Sequence, residues 1–339
     1  MPNRTSAPAR LVSRTSRTSR TSRTSRTSRT GATRRNRPLD GPLPILTAAL
    51  IWGTTGTAAS LAPAGASAVG IGAAALVLGG LLLLLSTRSA RNLPRACDRR
   101  ERRLLALGAV AVVGYPVGFY PAVTRTGVAV ATVIALGSAP VFAGLLGWLA
   151  RQGRPSGRWA GATATAVLGC AVLVLGPQLD GGATTVDLVG VLLAALAGLS
   201  YAAYSLVGSE LITRGHPSAG VMGAMFGGAA LLVLPVLLLG DLGWLATARG
   251  AAVVLHLGVV TTFLAYRLFG HGLRHTSART ATTLTLAEPA VAALLGVVAL
   301  GERLPAASWA GLAILAVAIT VLTLPTSGRR RSPDRSPTT

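Results

Sequence analysis

Lysine is absent from the 339 residues: the 32 basic side chains are all Arg, set against 10 Asp and Glu. A Schiff-base lysine, a P-loop lysine and a Ser-Lys dyad are therefore excluded. Cysteine occurs twice, at Cys97 and Cys170, too few for a disulfide framework or a Cys-rich zinc site. The four histidines, His216, His256, His271 and His275, show no HExxH spacing, so the sequence calls for no metal, no cofactor and no catalytic residue. Charged residues make up 12% and aromatic residues 4% of the chain. An average soluble domain carries about 25% charge, which argues against a soluble enzyme. The remainder is 51% hydrophobic, and the charge lies in different stretches from the apolar residues. That is the composition of a membrane protein.

Residues 1–40 are set apart. They hold eleven Arg, with Arg-Thr-Ser triplets in tandem from Arg14 to Thr30. A triplet without apolar periodicity buries no face, so this tail is expected to be disordered, as is 326–339. Its charge suits a nucleic-acid arm, but no aromatic residues are interleaved for stacking, and no nucleic-acid partner is expected. Anionic lipid head groups are the other partner such a stretch meets. Arg34 and Arg35 before an apolar run faintly resemble a twin-Arg export signal, yet many more apolar spans follow.

Ten apolar spans are predicted at about 43–62, 66–86, 104–122, 127–150, 159–176, 187–208, 219–240, 251–270, 277–299 and 306–324. Each is near the roughly 17–25 residues that cross ~30 Å of hydrocarbon. With the N-terminus inside, the cytoplasmic loops carry 12 Arg and the outer loops carry 3, namely Arg125, Arg249 and Arg303. The Arg residues of both tails fall on the cytoplasmic side too. Positive charge stays with the cytoplasm, so the chain is expected to be multi-pass in the plasma (inner) membrane with both termini cytoplasmic.

Shifting the chain by 149 residues aligns it with itself. Arg125 meets Arg274, Pro140 meets Pro289 and Arg154 meets Arg303; after one inserted residue, Pro155 and Trp159 meet Pro305 and Trp309. Ala, Leu and Gly matches are cheap in such a composition, whereas ordered Pro, Trp and Arg matches are not. Five spans per half is an odd number, so the second copy is expected to lie inverted in the bilayer. Inverted repeats are the architecture of secondary transporters, with the solute site near the midplane between the halves.

The segment Leu286–Leu304, LAEPAVAALLGVVALGERL, followed by Trp309 and Gly311, resembles the end of an EamA domain, and Trp52-Gly53 resembles its opening. The stretch 43–325 is similar to two tandem EamA repeats, 43–176 and 187–325. The resemblance implies an all-α, ten-helix member of the drug/metabolite transporter superfamily. It further implies a small-molecule solute (a metabolite, an amino acid or a drug) and efflux as the commoner direction, with some members working the other way. One departure stands out: where the family shows Gly-Glu-Arg, the first copy reads Gln152, Gly153, Arg154, so any role of that loop carboxylate is missing from the first half.

Few residues inside the spans carry chemistry. Glu288, just before Pro289, is the acid placed within the hydrocarbon, where a charge costs roughly 2.5–3.5 kcal/mol by insertion scales. Either it binds a cationic solute or couples transport to protons, or it bonds groups freed by the helix break, with Thr282, Thr283 and Thr285 at hand. His256 is the second titratable candidate, read first as a single interhelical donor. Arg279 is expected to snorkel, with a hold on an anionic group as the alternative. Pro140 and Pro289 are expected helix breaks at matching positions of the two halves. Trp52, Tyr115, Tyr120, Tyr201, Tyr204 and Tyr266 fall in spans 1, 3, 6 and 8, which the resemblance places around a central cavity; lipid-facing packing is the alternative. Gly223 and Gly227 form a GxxxG step, and Gly161 with Thr165 a looser one, used within the chain or in a homodimer.

Two further readings of the whole chain are an intramembrane enzyme and a membrane anchor bearing a nucleic-acid- or lipid-binding basic arm. The inverted arrangement makes the sharper prediction. Impermeant labels placed near Pro177 and near Gly328 should react from opposite faces of the membrane; reaction from one face rejects the inversion.

Overall fold

In hydrocarbon a spanning segment has to satisfy its own backbone, and the helix does this without a partner. The protein, described as a computed structural model over residues 40–176, 187–301 and 303–324, has no strand among those residues. In chain order the helices are α1 (Pro42–Gly53), α2 (Thr55–Ser60), α3 (Ala68–Leu85), α4 (Arg88–Ala96), α5 (Arg99–Leu149), α6 (Gly157–Leu175), α7 (Leu188–Thr213), α8 (Ser218–Leu239), α9 (Ala248–Leu255), α10 (Ala265–Gly272), α11 (Ala278–Leu284), α12 (Ala287–Leu300) and α13 (Ala306–Thr323). A π-helix, His256–Leu264, fuses α9 to α10. The tails expected to be disordered, 1–40 apart from Asp40 and 326–339, lie outside the described residues, as do Pro177 and Glu302.

Helices begin where a short polar side chain takes the first free amides. Ser67 accepts from Gly70 N, Ser156 from Trp159 N, Asp187 from Val189 N and Gly190 N, and Ser277 from Thr280 N. Such caps contribute typically ~1 kcal/mol each. Asp98 and Glu101 form a reciprocal capping box that starts α5 at Arg99, five residues before the predicted span. The Arg-rich stretch 87–103, expected as a loop, is therefore largely helical: Thr87 caps α4 and Asp98 caps α5.

Eight helices among the described residues, with α9 to α10 and α11 to α12 each counted as one, are long and apolar enough to cross a membrane. Two of the predicted spans, 104–122 and 127–150, are joined in α5, whose 51 residues would measure about 76 Å if straight. Helical geometry fails once inside it, at Gly127 with φ 80° and ψ 160°. A residue bearing a Cβ rarely reaches that conformation. Predicted spans 43–62 and 277–299 are instead interrupted, at Thr54 and at Thr285–Leu286.

Helices pack through small residues, because lipid offers no hydrophobic drive between them. The main pairings are α5 with α7, α3 with α8, α6 with α13, and α1 with α10 and α12. By the 149-residue shift, α3 corresponds to α8 and α6 to α13, so equivalent helices of the two halves lie on one another. A Cβ added at Gly223 would stand 2.5 Å from Ala90 Cβ and 2.6 Å from Leu83 O, and one at Gly227 2.6 Å from Leu84 Cβ. The GxxxG step is thus spent inside the chain, on α3 and α4. Gly161 has nothing within 4 Å, so the looser step makes no such contact.

Gly223→Leu should accordingly cost about 1–3 kcal/mol through overpacking against backbone, read as a lower midpoint of thermal unfolding in detergent. Gly161→Leu should stay within about 0.5 kcal/mol of the parent.

Candidate solute-binding site

The break between α11 and α12 follows from Pro289, which lacks an amide hydrogen and displaces the carbonyl of Thr285. Local bonds shorten to three-residue steps: Leu286 N donates to Thr283 O at 3.1 Å and Glu288 N to Thr285 O at 3.0 Å. Buried threonine hydroxyls serve the surrounding carbonyls. Thr282 donates to Ala278 O at 3.1 Å, Thr283 to Arg279 O at 3.1 Å and Thr285 to Thr282 O at 3.0 Å. Two of them also reach other helices. Thr283 Oγ1 lies 2.9 Å from Thr163 Oγ1 on α6, and Thr285 Oγ1 accepts the Tyr201 hydroxyl at 2.8 Å.

Glu288 is left out of this arrangement. Its carboxyl has no hydrogen-bond or ion-pair partner among the described residues, and the residue is half-buried. The phenols of Tyr115, Tyr201 and Tyr266 and the thiol of Cys170 lie within its electrostatic reach. In the matching span Pro140 is buried in a helix that continues through it; of the two breaks expected at prolines, the structure has the one at Pro289.

Aromatic side chains gather on the same interior. Trp52 stands 4.9 Å from Tyr266 and 5.6 Å from Phe269, Tyr201 5.2 Å from Tyr204, and Tyr115 6.3 Å from Tyr201, all between ring centroids. The hydroxyls of Tyr204 and Tyr266 are 3.0 Å apart. Tyr120 joins only at the edge, through Phe119 at 6.1 Å. Phe226 and Phe269, fully or nearly fully buried, belong to the network and were not singled out from sequence; Phe226 lies 3.9 Å from Tyr266. Their apolar character gave no signal to separate them from lipid-facing residues.

A second contact holds the interrupted first span. The π-helix alters the spacing of its backbone groups, a geometry often found at functional sites. Trp52 Nε1 donates to Thr261 O within it at 2.8 Å, and His256 Nε2 lies 2.9 Å from Thr54 Oγ1 at the α1–α2 break. His256 is therefore an interhelical partner of Thr54. Arg279 is also occupied, donating to Gln152 O at 3.0 Å and Gly153 O at 3.2 Å, so it clamps the α5–α6 loop of the first half.

The EamA-like transporter family matches this chain twice, at residues 40–175 and 188–324. The chain belongs to that family. The chain is 39% identical over 278 residues to a protein of Bacillus subtilis (strain 168) named "Uncharacterized transporter YwfM", covering 82% of this chain and 92% of that one. One solved protein crystal structure shares the fold, with a TM-score of 0.67 at 23% identity over 83% of this chain and 95% of that one. This EamA-family protein is accordingly a multi-pass membrane transporter, and the interior described above is the candidate site for its solute.

Removing the indole donor by Trp52→Phe should cost about 1–2 kcal/mol, since Thr261 O loses a buried donor. Tyr201→Phe should cost only about 0.6 kcal/mol, because Thr285 keeps its bond to Thr282 O. Unfolding midpoints of the two purified variants give the comparison.

Proposed function

We propose that this protein is a ten-span secondary transporter that exports a small cationic or amine-bearing solute across the plasma membrane in exchange for protons, by alternating access between two inverted five-helix repeats. Ten crossings are supported by the eight span-length helices, of which α5 supplies two on either side of Gly127, and by the broken α1–α2 segment. The Arg distribution supports cytoplasmic termini. Pairing of equivalent helices across the two repeats supports two nearly equivalent conformations, one open to each side.

The observation that carries the reading is the Glu288 carboxyl, half-buried, unpaired, and set among phenols beside a helix break. The carbonyl freed by Pro289, Thr285 O, takes the Glu288 amide and Thr283 O takes the Leu286 amide, so the Glu288 carboxyl is not required there. A lone carboxylate in an apolar bundle is costly unless neutralised. A proton or a cationic solute neutralises it, and one carboxyl serves one of them at a time. Exclusive occupancy of that kind is what exchange requires, since the protein changes sides readily only with the charge covered. The aromatic walls of Trp52, Tyr115, Tyr201 and Tyr266 suit the apolar body or cationic head of such a solute. No nucleophile or base is in hydrogen-bond contact with Glu288 among the described residues, which favours transport over intramembrane hydrolysis.

Reconstitution into liposomes tests this. A panel of labelled amines, amino acids and cationic drugs is offered with and without a pH gradient. Glu288→Gln should abolish gradient-driven movement of the transported solute and flatten its pH profile. An unchanged rate and profile would remove Glu288 from coupling, and equal transport by protein-free liposomes would remove the transport reading for that panel.

A further inference from the structure

Away from the aromatic interior, three side chains with metal-ligating atoms meet where α4 hands over to α5 and α7 turns into α8. Cys97 closes α4, Glu101 lies in the first turn of α5, and His216 lies in the turn after α7. Cys97 Sγ, a Glu101 carboxylate oxygen and His216 Nε2 all lie within 4.8 Å of one another, with Nε2 to Oε1 at 3.2 Å. Zinc–ligand bonds of about 2.0–2.3 Å in tetrahedral geometry put neighbouring ligand atoms roughly 3.3–3.7 Å apart. A small closure of the three side chains reaches that spacing. We propose that Cys97, Glu101 and His216 form a binding site for one divalent transition-metal ion of the zinc class, held between the two repeats.

The donor set is the first argument. Thiolate, imidazole and carboxylate together suit zinc or a comparably borderline ion rather than magnesium or calcium, which take oxygen. Second, the contacts outline the site: His216 Nε2 stands 3.2 Å from Glu101 Oε1, and Cys97 Sγ lies within 4.8 Å of both ligand atoms. An ion seated among the three would take the place of their protons. Third, Glu101 is held from behind. Its own amide donates to Asp98 Oδ1 at 2.7 Å, and Asp98 N donates to Glu101 Oε2 at 3.2 Å. Such outer contacts fix ligand orientation and raise affinity.

Arg102, within charge reach of Cys97, is one nearby cation to weigh against an ion, and Arg214 is another. Arg214 pairs with Glu210 at 2.8 Å and stands 3.9 Å from Glu101 Oε1, so its charge is already matched. Cys97 is 5% exposed, while the side chains of Glu101 and His216 are 13% and 19% exposed. That leaves a solvent-facing direction for a water ligand, as three-ligand zinc sites have. Cys97 and Glu101 fall in the first family match and His216 in the second, so the ion would join the repeats on the face where the Arg distribution puts the cytoplasm. Thiolate and neutral imidazole are the forms that bind metal, so binding releases protons and affinity should rise with pH.

The full-length protein, purified in detergent with any affinity tag removed, is titrated with Zn(II) by equilibrium dialysis, and with Cd(II) while the ultraviolet thiolate-to-metal band is followed. The expected result is about one equivalent of zinc, bound more tightly at pH 8 than at pH 6, with a cadmium–thiolate band that survives Cys170→Ser. Cys97→Ser should lose the band, and Cys97→Ser and His216→Gln should each weaken zinc binding by at least ~10-fold. Zinc should also raise the unfolding midpoint of the parent protein in a concentration-dependent way. Absence of saturable zinc uptake by the folded parent would overturn the site. So would a cadmium band lost with Cys170→Ser but kept in Cys97→Ser. The cadmium band of the parent needs no variant, so it stands even where a substitution impairs folding.

Discussion

No water is at hand inside a bilayer to meet a freed backbone group, and each one left unmet costs several kcal/mol. That constraint governs where this chain departs from regular helix. At the breaks short local bonds keep the backbone paired, with Thr54 N on Ile51 O and Glu288 N on Thr285 O. His256 meets the Thr54 hydroxyl, Trp52 donates to Thr261 O of the π-helix and Tyr201 donates to the Thr285 hydroxyl. The partners are 202, 209 and 84 residues apart in sequence, so these three contacts form only once the helices have assembled. Because α1 packs on α10, α11, α12 and the π-helix, the irregular segments also share one interior. Broken helices, polar donors and the unpaired carboxyl are therefore gathered by the same physical requirement.

Close helix packing and a concentrated aromatic interior are two sides of one distribution. Gly and Ala carry the contacts between helices, with Gly223 against Leu83 and Ala90 and Gly118 against Leu193 and Ala197. All five Tyr, with Trp52 and three Phe, then fall into one connected set of ring contacts. Spread over lipid-facing surfaces, so few large rings would shape nothing. Gathered together, they form one packed interior cluster whose polar handles are phenol hydroxyls and an indole N–H.

Much of this was legible in the residues, for identifiable reasons. Long apolar runs place helices well because the bilayer fixes their length, and the Glu-Pro pair at 288–289 marked the broken span because proline acts locally. Other features depend on what lies opposite. The π-helix leaves no local mark in HLGVVTTFL, and its bond to Trp52 joins residues far apart. Pro140 and Pro289 occupy matching positions, yet the helix holds at the first and fails at the second. Proline removes one bond in both; the threonines at 282, 283 and 285, each bonding to a backbone carbonyl, offer the second site an alternative set. The capping box at Asp98 and Glu101 was visible as a spacing, but seven Arg residues in 87–103 read more simply as a loop. Cys97 and His216 are 119 positions apart in the sequence, a separation that spacing rules for metal ligands do not reach.

The two repeats are alike in scaffold and unlike in chemistry. Equivalent helices pack on each other, α3 with α8 and α6 with α13, so the frame treats its two ends alike. The intramembrane carboxyl has no counterpart: the residue before Pro140 is Ala139, where the second half has Glu288. The second loop carries Glu302 where the first has Gly153, and Arg279 of the second half clamps the first half's loop through Gln152 O and Gly153 O. A frame with two-fold character makes both openings comparable in energy, which alternation needs. A coupling group duplicated in both halves would place two carboxylates in one apolar interior, and like charges there raise the cost of leaving either uncovered. Under the proposed exchange, a single acid would let the symmetric frame move while one site, in one state of charge, decides when it does.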